Sequence, residues 1–403
     1  MNFSSRKRTT ALLVASPAVL ALALAGCSGP AAESQATGSA GGSAPVSNGT
    51  ATVKLSVQQV GGKDQCVPDF NQAPAGPVTF QVSNKDASGV SEVELLSDKR
   101  ILGERENVIP GLKSVSFTVT LTGGSYQLYC PGAGTEYLPF TVTGTSTATA
   151  SSDVADQLTA GTAGYAGYVS GQVDSLVDAV AALKIAVDSG DVAASQKAYA
   201  AARPFYERIE PVAESFPDLD PALDLRVADV EPGTPWTGFH PLEKDLFESK
   251  AITESTKALA AGLVENIGKL KEATTGLGYK AEELANGASG LLEEVQSSKI
   301  TGEEEAYSKL DLLDFAANVE GSQQAFEYLK PALVGIDADL AKTISAQFDT
   351  VTAALDSYKD AGSLGGWKPY TEALKASDAA KLTALIQALQ DPLSKIAAKV
   401  ATA

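Results

Sequence analysis

Histidine is almost absent from this 403-residue sequence, which has one, and cysteine is nearly as rare, with three. A single imidazole excludes every site that needs two histidines, among them the H-E-x-x-H metallopeptidases and the blue-copper centres. The sequence also lacks a G-x-S-x-G nucleophile elbow and a G-x-x-x-x-G-K-[ST] phosphate-binding loop. Catalysis by the common hydrolase and nucleotide-binding motifs is therefore not predicted.

Basic residues are also few, since 31 Lys and Arg stand against 49 Asp and Glu, which gives a formal net charge of −18. No basic stripe is available to meet phosphates, so nucleic acid is not a predicted partner. An acidic surface raises the local concentration of cations. It also keeps an extracytoplasmic protein soluble, and the charge alone does not separate these two roles.

The N-terminus has the features of an export signal. Basic residues at positions 6–8 precede an apolar stretch at 11–25, which ends in Leu24-Ala25-Gly26-Cys27. This pattern predicts a lipoprotein signal peptide over residues 1–26 and lipidation (palmitate) of Cys27; the alternative is a plain signal peptide with a chance cysteine. Removal of residues 1–26, which hold three basic and no acidic residues, changes the net charge from −18 to −21. No later segment has about 20 consecutive apolar residues, so we expect an extracytoplasmic protein anchored to the cell membrane.

Two structural classes follow one another along the chain. Residues 27–50 are mostly small and polar and predict a disordered tether. Residues 51–145 show period-two alternation, for example at 78–82 and 116–121, and Gly- and Pro-rich turns separate the runs. Short alternating strands with regular turns predict a β-sandwich.

The remainder, residues 153–403, is rich in Ala, Leu, Glu and Lys, with apolar residues at helical spacing. The sequence thus predicts an α+β multidomain protein whose second domain is an all-α helical bundle. The predicted helices cover 154–189, 191–215, 241–273, 278–299, 310–330, 336–360 and 370–401. Between them, residues 217–237 predict a long loop, and loops of that length in a compact domain usually have a function.

His240 and Glu243 are the strongest candidates for metal ligands. Pro241 suits the first turn of a helix, and the i, i+3 spacing places the imidazole and the carboxylate on one face. Helical bundles use the related Glu-x-x-His pair to direct two ligands at one cation. An isolated H-x-x-E is a weak signal, because a histidine that caps a helix or packs in a core is more common.

Further carboxylates surround this pair in the sequence. Glu207 and Glu210 share the i, i+3 spacing, and more acids lie in the loop and downstream, at Asp218, Asp220, Asp224, Glu293, Glu294, Glu303, Glu304, Glu305, Asp311 and Asp314. Mixed imidazole and carboxylate ligation suits iron, manganese, zinc or copper. The alternative is that most of these acids are ordinary solvated side chains.

Several motifs in this region resemble the EfeO family of iron uptake lipoproteins. They are Tyr-Glu-Arg-Ile-Glu-Pro at 206–211, Thr-Gly-Phe-His-Pro-Leu-Glu-Lys at 237–244, Gly-Leu-Leu-Glu-Glu at 290–294, Lys-Ile-Thr-Gly-Glu-Glu at 299–304, and Asp-Leu-Leu-Asp-Phe-Ala-Ala-Asn-Val-Glu-Gly-Ser at 311–322. The resemblance covers about residues 51–400. It implies a cupredoxin-like N-terminal domain joined to an imelysin-type H-x-x-E domain. It also implies an iron uptake role beside a membrane iron permease and a haem peroxidase-like partner.

The same resemblance suggests which acids complete the site. The family's metal ligands correspond here to His240, Glu243, Asp224 and Glu304, with Asp220 and Glu303 as alternatives to the last two. Some relatives have a histidine where this chain has Phe205 or Lys309. The predicted site therefore relies more heavily on carboxylates, and Glu207 and Glu210 are included in it.

A second metal site in the β-domain is a further implication of the resemblance. It would use Cys66 and Cys130 with Glu92 and Glu94, which share one strand face because their spacing is two. An even pair of cysteines in an oxidising compartment first predicts a disulfide, and that alternative stays open.

The predicted function is capture of iron, with copper or zinc as alternative metals, and not catalysis. Two other functions remain to be weighed. One is an enzyme, either a metallopeptidase or a ferrous oxidase, and the other is a polysaccharide-binding lipoprotein that depends on calcium. Because histidine binds metal as the neutral imidazole, the first hypothesis predicts affinity that falls on acidification below about 6.5.

Overall fold

The computed structural model describes residues 42–97, 100–145, 152–230 and 232–403. The predicted signal peptide, the lipidation position Cys27 and the first part of the predicted tether lie outside the described residues. The last part of the tether prediction does not hold, because Val46–Ser47 forms a strand and Ala44 is buried. The β-domain thus begins before the predicted boundary at residue 51.

Two five-stranded sheets form the N-terminal part of the described chain. The strands are β1 Val46–Ser47, β2 Thr50–Val60, β3 Lys63–Pro68, β4 Gln72–Pro74, β5 Gly76–Asn84, β6 Val93–Ser97, β7 Arg100–Arg105, β8 Val115–Leu121, β9 Gly124–Tyr129 and β10 Tyr137–Thr143. One sheet has the order β1-β2-β5-β8, with β3 paired to β2, and the other has the order β4-β10-β9-β6-β7. The predicted β-rich domain is confirmed, while its relationship to cupredoxins stays a prediction.

Alternating residues from both sheets fill one core. On β5, Phe80 and Val82 are buried while Gln81 between them is exposed, as the period of two requires. The Phe80 ring meets Phe140 of the other sheet edge-on, with 5.3 Å between ring centroids. The two inner faces therefore pack against each other.

A disulfide joins Cys66 on β3 to Cys130, which directly follows β9. The bond therefore links the two sheets, and the two cysteines are 64 residues apart in sequence. Loop closure of this length restricts the unfolded chain and is worth about 4 kcal/mol.

We expect no free thiol at Cys66 or Cys130 until the protein is reduced. We also expect replacement of both by alanine to lower the free energy of unfolding by about 4 kcal/mol. A thiol-reactive dye and urea denaturation with and without reductant measure the two effects. Two reactive thiols in the unreduced, folded protein would contradict this pairing.

The C-terminal part is helical, as predicted. Its helices are α1 Ser152–Ser189, α2 Val192–Glu207, α3 Glu210–Glu214, α4 Asp220–Asp224, α5 Phe239–Glu243, α6 Glu254–Thr274, α7 Ala281–Glu294, α8 Asp311–Ile336, α9 Ala338–Asp356, α10 Glu372–Leu393 and α11 Ile396–Ala401. None of the helices in the described part of the chain has both the length and the apolar composition of a membrane span.

The long helix α1 illustrates how the sequence builds the bundle. Its buried apolar residues recur every three or four positions, at Tyr165, Val169, Val173, Leu176, Val180, Leu183 and Val187. Gly190, with φ of 77°, turns the chain, and the Asp191 side chain accepts a 3.0 Å hydrogen bond from the Ala194 N–H to cap α2. Helices α1 and α2 thus form an antiparallel pair.

Two of the predicted helices are interrupted near the site. The predicted helix 241–273 is wrong, because a wide π-helical turn at Lys244–Ser249 follows α5, and Lys250 then takes a left-handed φ of 50°. The predicted helix 191–215 is also broken, since α3 begins at Glu210 with Pro211 in its first turn. In the predicted loop 217–237, α4 is the one α-helix among the described residues. Hydrophobic periodicity continues through these breaks, so it did not reveal them.

Helix α7 packs against the β-domain. The Thr120 N–H donates a 2.7 Å hydrogen bond to Glu282 Oε1, and Asn286 Nδ2 donates one of 2.9 Å to the Thr118 carbonyl. Arg100 and Glu283 form an ion pair at 3.2 Å across the same boundary. Because α7 also leads into the candidate site, the β-domain helps to fix one wall of that site.

Candidate metal centre

His240 is fixed by a close approach of two backbone segments. Gly238, with φ of 89°, lies so near Leu223 that an added Cβ would be 2.0 Å from the Leu223 carbonyl oxygen. Only glycine tolerates both that conformation and that contact. The approach holds the start of α5 against α4 and brings His240, which is 1% exposed, beside Asp224.

The H-x-x-E pair lies on one face of α5, as the spacing predicted. Glu243 Oε2 is 3.6 Å from His240 Nδ1. The other carboxylate oxygen, Glu243 Oε1, accepts hydrogen bonds from the N–H groups of Tyr307 (2.7 Å) and Ser308 (2.6 Å). One oxygen therefore fixes the side chain and the other is left facing the imidazole.

Asp224 and Glu304 approach the imidazole from distant parts of the chain. His240 Nε2 is 3.3 Å from Asp224 Oδ1 and 3.5 Å from Glu304 Oε1. The alternatives are placed differently, because Asp220 Oδ1 accepts a 2.6 Å hydrogen bond from the Tyr206 hydroxyl and Glu303 is exposed. Among these four acids, the geometry favours Asp224 and Glu304.

The candidate ligands fall into three overlapping groups. Within each group, one ligand atom from every residue lies within 4.8 Å of the others. The groups are Asp224, His240 and Glu304; His240, Glu243 and Glu305; and Glu207, Glu210, Asp224 and Glu304. The predicted residues Glu207 and Glu210 thus belong to a group that adjoins the imidazole without including it.

A buried arginine, which no sequence pattern predicted, lies at the middle of these acids. Arg203 is fully buried and forms ion pairs with five carboxylates, those of Glu207, Asp224, Glu304, Glu305 and Asp314. In the sequence, the one indication of its role is the i, i+4 spacing to Glu207. The same spacing is typical of ion pairs on the exposed face of a helix.

Lys299 is a second buried cation that the sequence did not reveal. It ends the wide helical turn Val295–Lys299 that follows α7. Its ammonium lies 3.1 Å from Glu210 Oε1, 3.4 Å from Glu207 Oε2 and 3.5 Å from Glu304 Oε2. Arg203 and Lys299 together offset part of the negative charge of the site.

Several buried polar atoms at this site have no hydrogen-bond partner. They are both ring nitrogens of His240, Glu243 Oε2, Glu207 Oε2, Asp311 Oδ2 and Asp314 Oδ1. Such atoms normally find partners, because each unsatisfied buried group costs about 1–3 kcal/mol. A cation held by one ring nitrogen and the carboxylates on that side of the ring would give that nitrogen a partner. The other ring nitrogen would then donate its hydrogen to the carboxylate that it faces.

The pKa of His240 is raised and that of Glu304 is lowered, each for an electrostatic reason. Burial by itself lowers the pKa of His240, but attraction by Asp224, Glu243 and Glu304 outweighs it and raises that pKa to about 10. Burial raises the pKa of Glu304, yet Lys299, His240 and Arg203 together hold it well below its usual range. Burial also raises the pKa of Glu305 and of Asp314 well above the ordinary values. These directions favour a protonated imidazole beside an ionised Glu304.

A cleft of about 520 Å³ reaches the site from the boundary between the two domains. Carboxylates line it from both sides: Glu92, Glu94, Glu104 and Glu106 from the β-domain, and Glu210, Asp220, Asp224, Asp229, Glu294 and Glu304 from the helical domain. Burial is the main cause that raises the pKa of Glu94 to about 9 and that of Glu104 to about 8. Those two carboxyls are therefore protonated at neutral pH, and the negative charge of the cleft comes from acids such as Glu294 and Glu304, whose pKa values are lowered.

The predicted second metal site needs a correction. The sulfurs of Cys66 and Cys130 are bonded to each other, so neither offers the thiolate that metal ligation requires. Glu92 and Glu94 do share one side, as their spacing predicted, but they face the cleft. In the part of the chain that the structure describes, no compact group of three candidate ligands includes either glutamate.

Comparisons with known proteins show which family the chain resembles. The imelysin family model, also designated Peptidase_M75, matches residues 161–396. The iron uptake system component EfeO of Yersinia pseudotuberculosis is 37% identical over 328 residues, which cover 81% of this chain and 87% of that protein. EfeO of Escherichia coli O6:H1 is 34% identical over 329 residues, with the same coverage. An Efem/EfeO family lipoprotein of Staphylococcus haemolyticus is 39% identical over 236 residues, which cover 58% of this chain and 81% of that protein.

Proposed function

The chain belongs to the imelysin family and to the EfeO family of iron uptake components, and from this membership we propose that it captures an iron ion at the His240 centre. The ion is the cargo of the protein. His240 and Glu243 supply the H-x-x-E ligands, and Asp224 and Glu304 complete the set. The captured ion is then passed to a membrane permease of the same uptake system.

The observation that carries this proposal is the state of the imidazole. Both ring nitrogens of His240 are buried without a hydrogen bond, and each lies within 3.6 Å of a carboxylate oxygen. A structural histidine in a core normally donates or accepts at least one hydrogen bond. A ring whose two nitrogens face carboxylate oxygens at 3.3–3.6 Å offers a metal cation the place of one ring proton.

The donor set favours iron over the alternative metals. Oxygen donors outnumber the single nitrogen donor, and carboxylate-rich sites prefer harder ions than sites built from imidazole and thiolate. The cleft supports the same role, because its acids raise the local concentration of cations at its mouth. Copper or zinc would bind the same residues, with less help from the oxygen donors.

The burial of the site supports binding over hydrolysis. His240 is 1% exposed, and Glu243 is 0% exposed with one oxygen held by two backbone N–H groups. A peptide substrate has no access to a pair placed in this way, and a base that is fixed by the backbone is poorly suited to moving protons. We therefore propose that the chain is not a peptidase, despite the family designation.

We further propose that the protein works outside the cytoplasm, attached to the membrane through a lipid on Cys27. The lipoprotein relative from Staphylococcus haemolyticus supports this anchoring. The uptake system that the EfeO name denotes would include the permease and a haem peroxidase-like partner. An anchor of this kind keeps the binding protein near the permease and leaves the cleft free to collect ions.

Equilibrium dialysis of Fe²⁺ under anaerobic conditions tests the proposed function. We expect one iron per chain, and we expect it to be retained against a hundredfold excess of Ca²⁺. Displacement of the iron by calcium would contradict the proposal and would favour the polysaccharide-binding alternative. Peptide hydrolysis by the metal-loaded protein would contradict the non-enzymatic role.

We expect the affinity for metal to rise by about tenfold for each unit of pH between 6 and 9. The cause is the His240 pKa, which is raised to about 10, so the bound metal must displace a proton throughout that range. This corrects the limit of about 6.5 that the ordinary pKa of histidine predicts. Protons lost from the raised carboxyls would make the dependence steeper.

Calorimetric titration with Mn²⁺ in two buffers of different ionisation enthalpy measures the proton release. We expect about one proton or more per bound Mn²⁺ at pH 8. The His240→Ala variant is the control, since its remaining metal binding should release at least one proton fewer. No proton release by the wild type at pH 8 would show that the imidazole is neutral before the metal arrives.

A further inference from the structure

The ammonium of Lys299 lies inside a group of ligands that is suited to a metal. Glu207, Glu210, Asp224 and Glu304 bring one oxygen each to within 4.8 Å of the others. Lys299 Nζ lies within 3.5 Å of three of these four residues, and Lys299 is fully buried. The wide helical turn at Val295–Lys299 aims the side chain there, and turns of this kind are frequent at functional sites.

This group shares two carboxylates with the group that contains His240. Asp224 and Glu304 belong to both, so two neighbouring cation positions would be bridged by the same two side chains. Carboxylate-bridged pairs of metals, about 3.5–4 Å apart, are built in this way. Here one position is lined by the imidazole, and the ammonium of Lys299 lies in the other. The guanidinium of Arg203 pairs with three acids of that second position, which are Glu207, Asp224 and Glu304.

We propose that Lys299 is a resident counter-cation that occupies the second position and limits the centre to one metal ion. The inference rests on the proposed function, because it assumes that the first position binds metal. An ammonium donates hydrogen bonds and offers no lone pair, so it cannot become a ligand. Its charge repels a second ion from the position that it fills.

An unpartnered oxygen supports this assignment independently. Glu207 is fully buried, with 0% exposure. Its Oε2 atom accepts no hydrogen bond, although Lys299 Nζ is 3.4 Å away. The ammonium therefore neutralises this carboxylate without satisfying all of its oxygen atoms. A metal ion in the same place would use that oxygen directly.

The test is the number of Mn²⁺ ions bound by the Lys299→Ala variant. Equilibrium dialysis should give one Mn²⁺ per chain for the wild type and two for the variant. Electron paramagnetic resonance should show coupling between the two ions in the variant alone. Lys299→Arg keeps the charge and should bind one ion. Lys271→Ala, which removes an exposed lysine paired with Asp174 at 2.8 Å, should also bind one.

The outcomes separate this inference from the proposed function. A wild type that binds no Mn²⁺ and no Fe²⁺ overturns both. A wild type that binds one ion, with a Lys299→Ala variant that also binds one, overturns the inference alone, as does a wild type that binds two. If Lys299→Ala fails to fold, the Lys299→Ala/Glu294→Gln variant replaces it. The second substitution removes the charge of a neighbouring acid, 3.6 Å from the Lys299 ammonium, and keeps all four ligands. This variant is expected to bind two ions.

Discussion

Replacing His240 by alanine together with Glu243 by glutamine is expected to weaken iron binding by at least about 100-fold. Loss of an outer-shell partner alone typically costs 10–100-fold in metal affinity, so loss of two direct ligands costs at least as much. Glutamine is chosen because its Oε1 can still accept the hydrogen bonds of Tyr307 and Ser308. The fold around the site should therefore persist, and the measurement is anaerobic dialysis of Fe²⁺ at pH 7.

A matched control lies on the next turn of the same segment. Lys244 and Glu248 form an exposed pair at 3.9 Å, so Lys244→Ala/Glu248→Gln also removes one basic and one acidic side chain. We expect this control to bind iron like the wild type. If the His240/Glu243 variant and the control bind iron with equal affinity, these two residues are not ligands of the iron. The glutamate-lined cleft would then be the remaining candidate.

The sequence was most informative where a local pattern carries chemistry. The i, i+3 spacing of His240 and Glu243 predicted their common face, and the alternating runs predicted the strands. The resemblance to EfeO pointed to Asp224 and Glu304, which the structure brings to within 3.5 Å of the imidazole. Each of these predictions depends on neighbouring positions or on a motif.

The buried cations show what local patterns do not carry. Arg203 and Glu207 have the spacing of an ordinary exposed pair, and Lys299 stands in a polar stretch. Their burial results from the packing of α2 and α7 against α8, and α2 lies far from the other two helices in sequence. The break of the predicted helix 241–273 was also invisible in the sequence. The residue with a left-handed backbone there is Lys250, and lysine is not a residue type that predicts a turn.

The crowding of acids at the site accounts for the arginine at its centre. Five carboxylates drawn together without a counter-cation would repel one another and would take up protons or move apart. Arg203 contacts all five, so it holds them near one another before the metal arrives. Preorganisation of this kind lowers the cost of assembling ligands from distant helices.

The Arg203→Met variant is therefore expected to lower the free energy of unfolding by about 3–5 kcal/mol at pH 7. Methionine fills much of the same volume but removes a cation from buried acids such as Glu304, and loss of one partner of a buried ion pair costs this much. Urea denaturation measures the change. Arg208→Met is the control, because the Arg208–Glu320 pair is partly exposed and such pairs contribute about 0–1 kcal/mol.

The pH dependence of this loss distinguishes electrostatic from packing effects. At pH 5 the buried acids of the variant take up protons more readily than those of the wild type, because the cation that favoured their ionised form is gone. The difference in stability between the wild type and Arg203→Met should therefore shrink as the pH falls from 7 to 5. A loss of the same size at both pH values would mean that Arg203 acts through packing and not as the counter-cation of the site.

Added Mn²⁺ should also recover part of the stability of Arg203→Met at pH 7, because an ion bound by the released carboxylates replaces the missing positive charge.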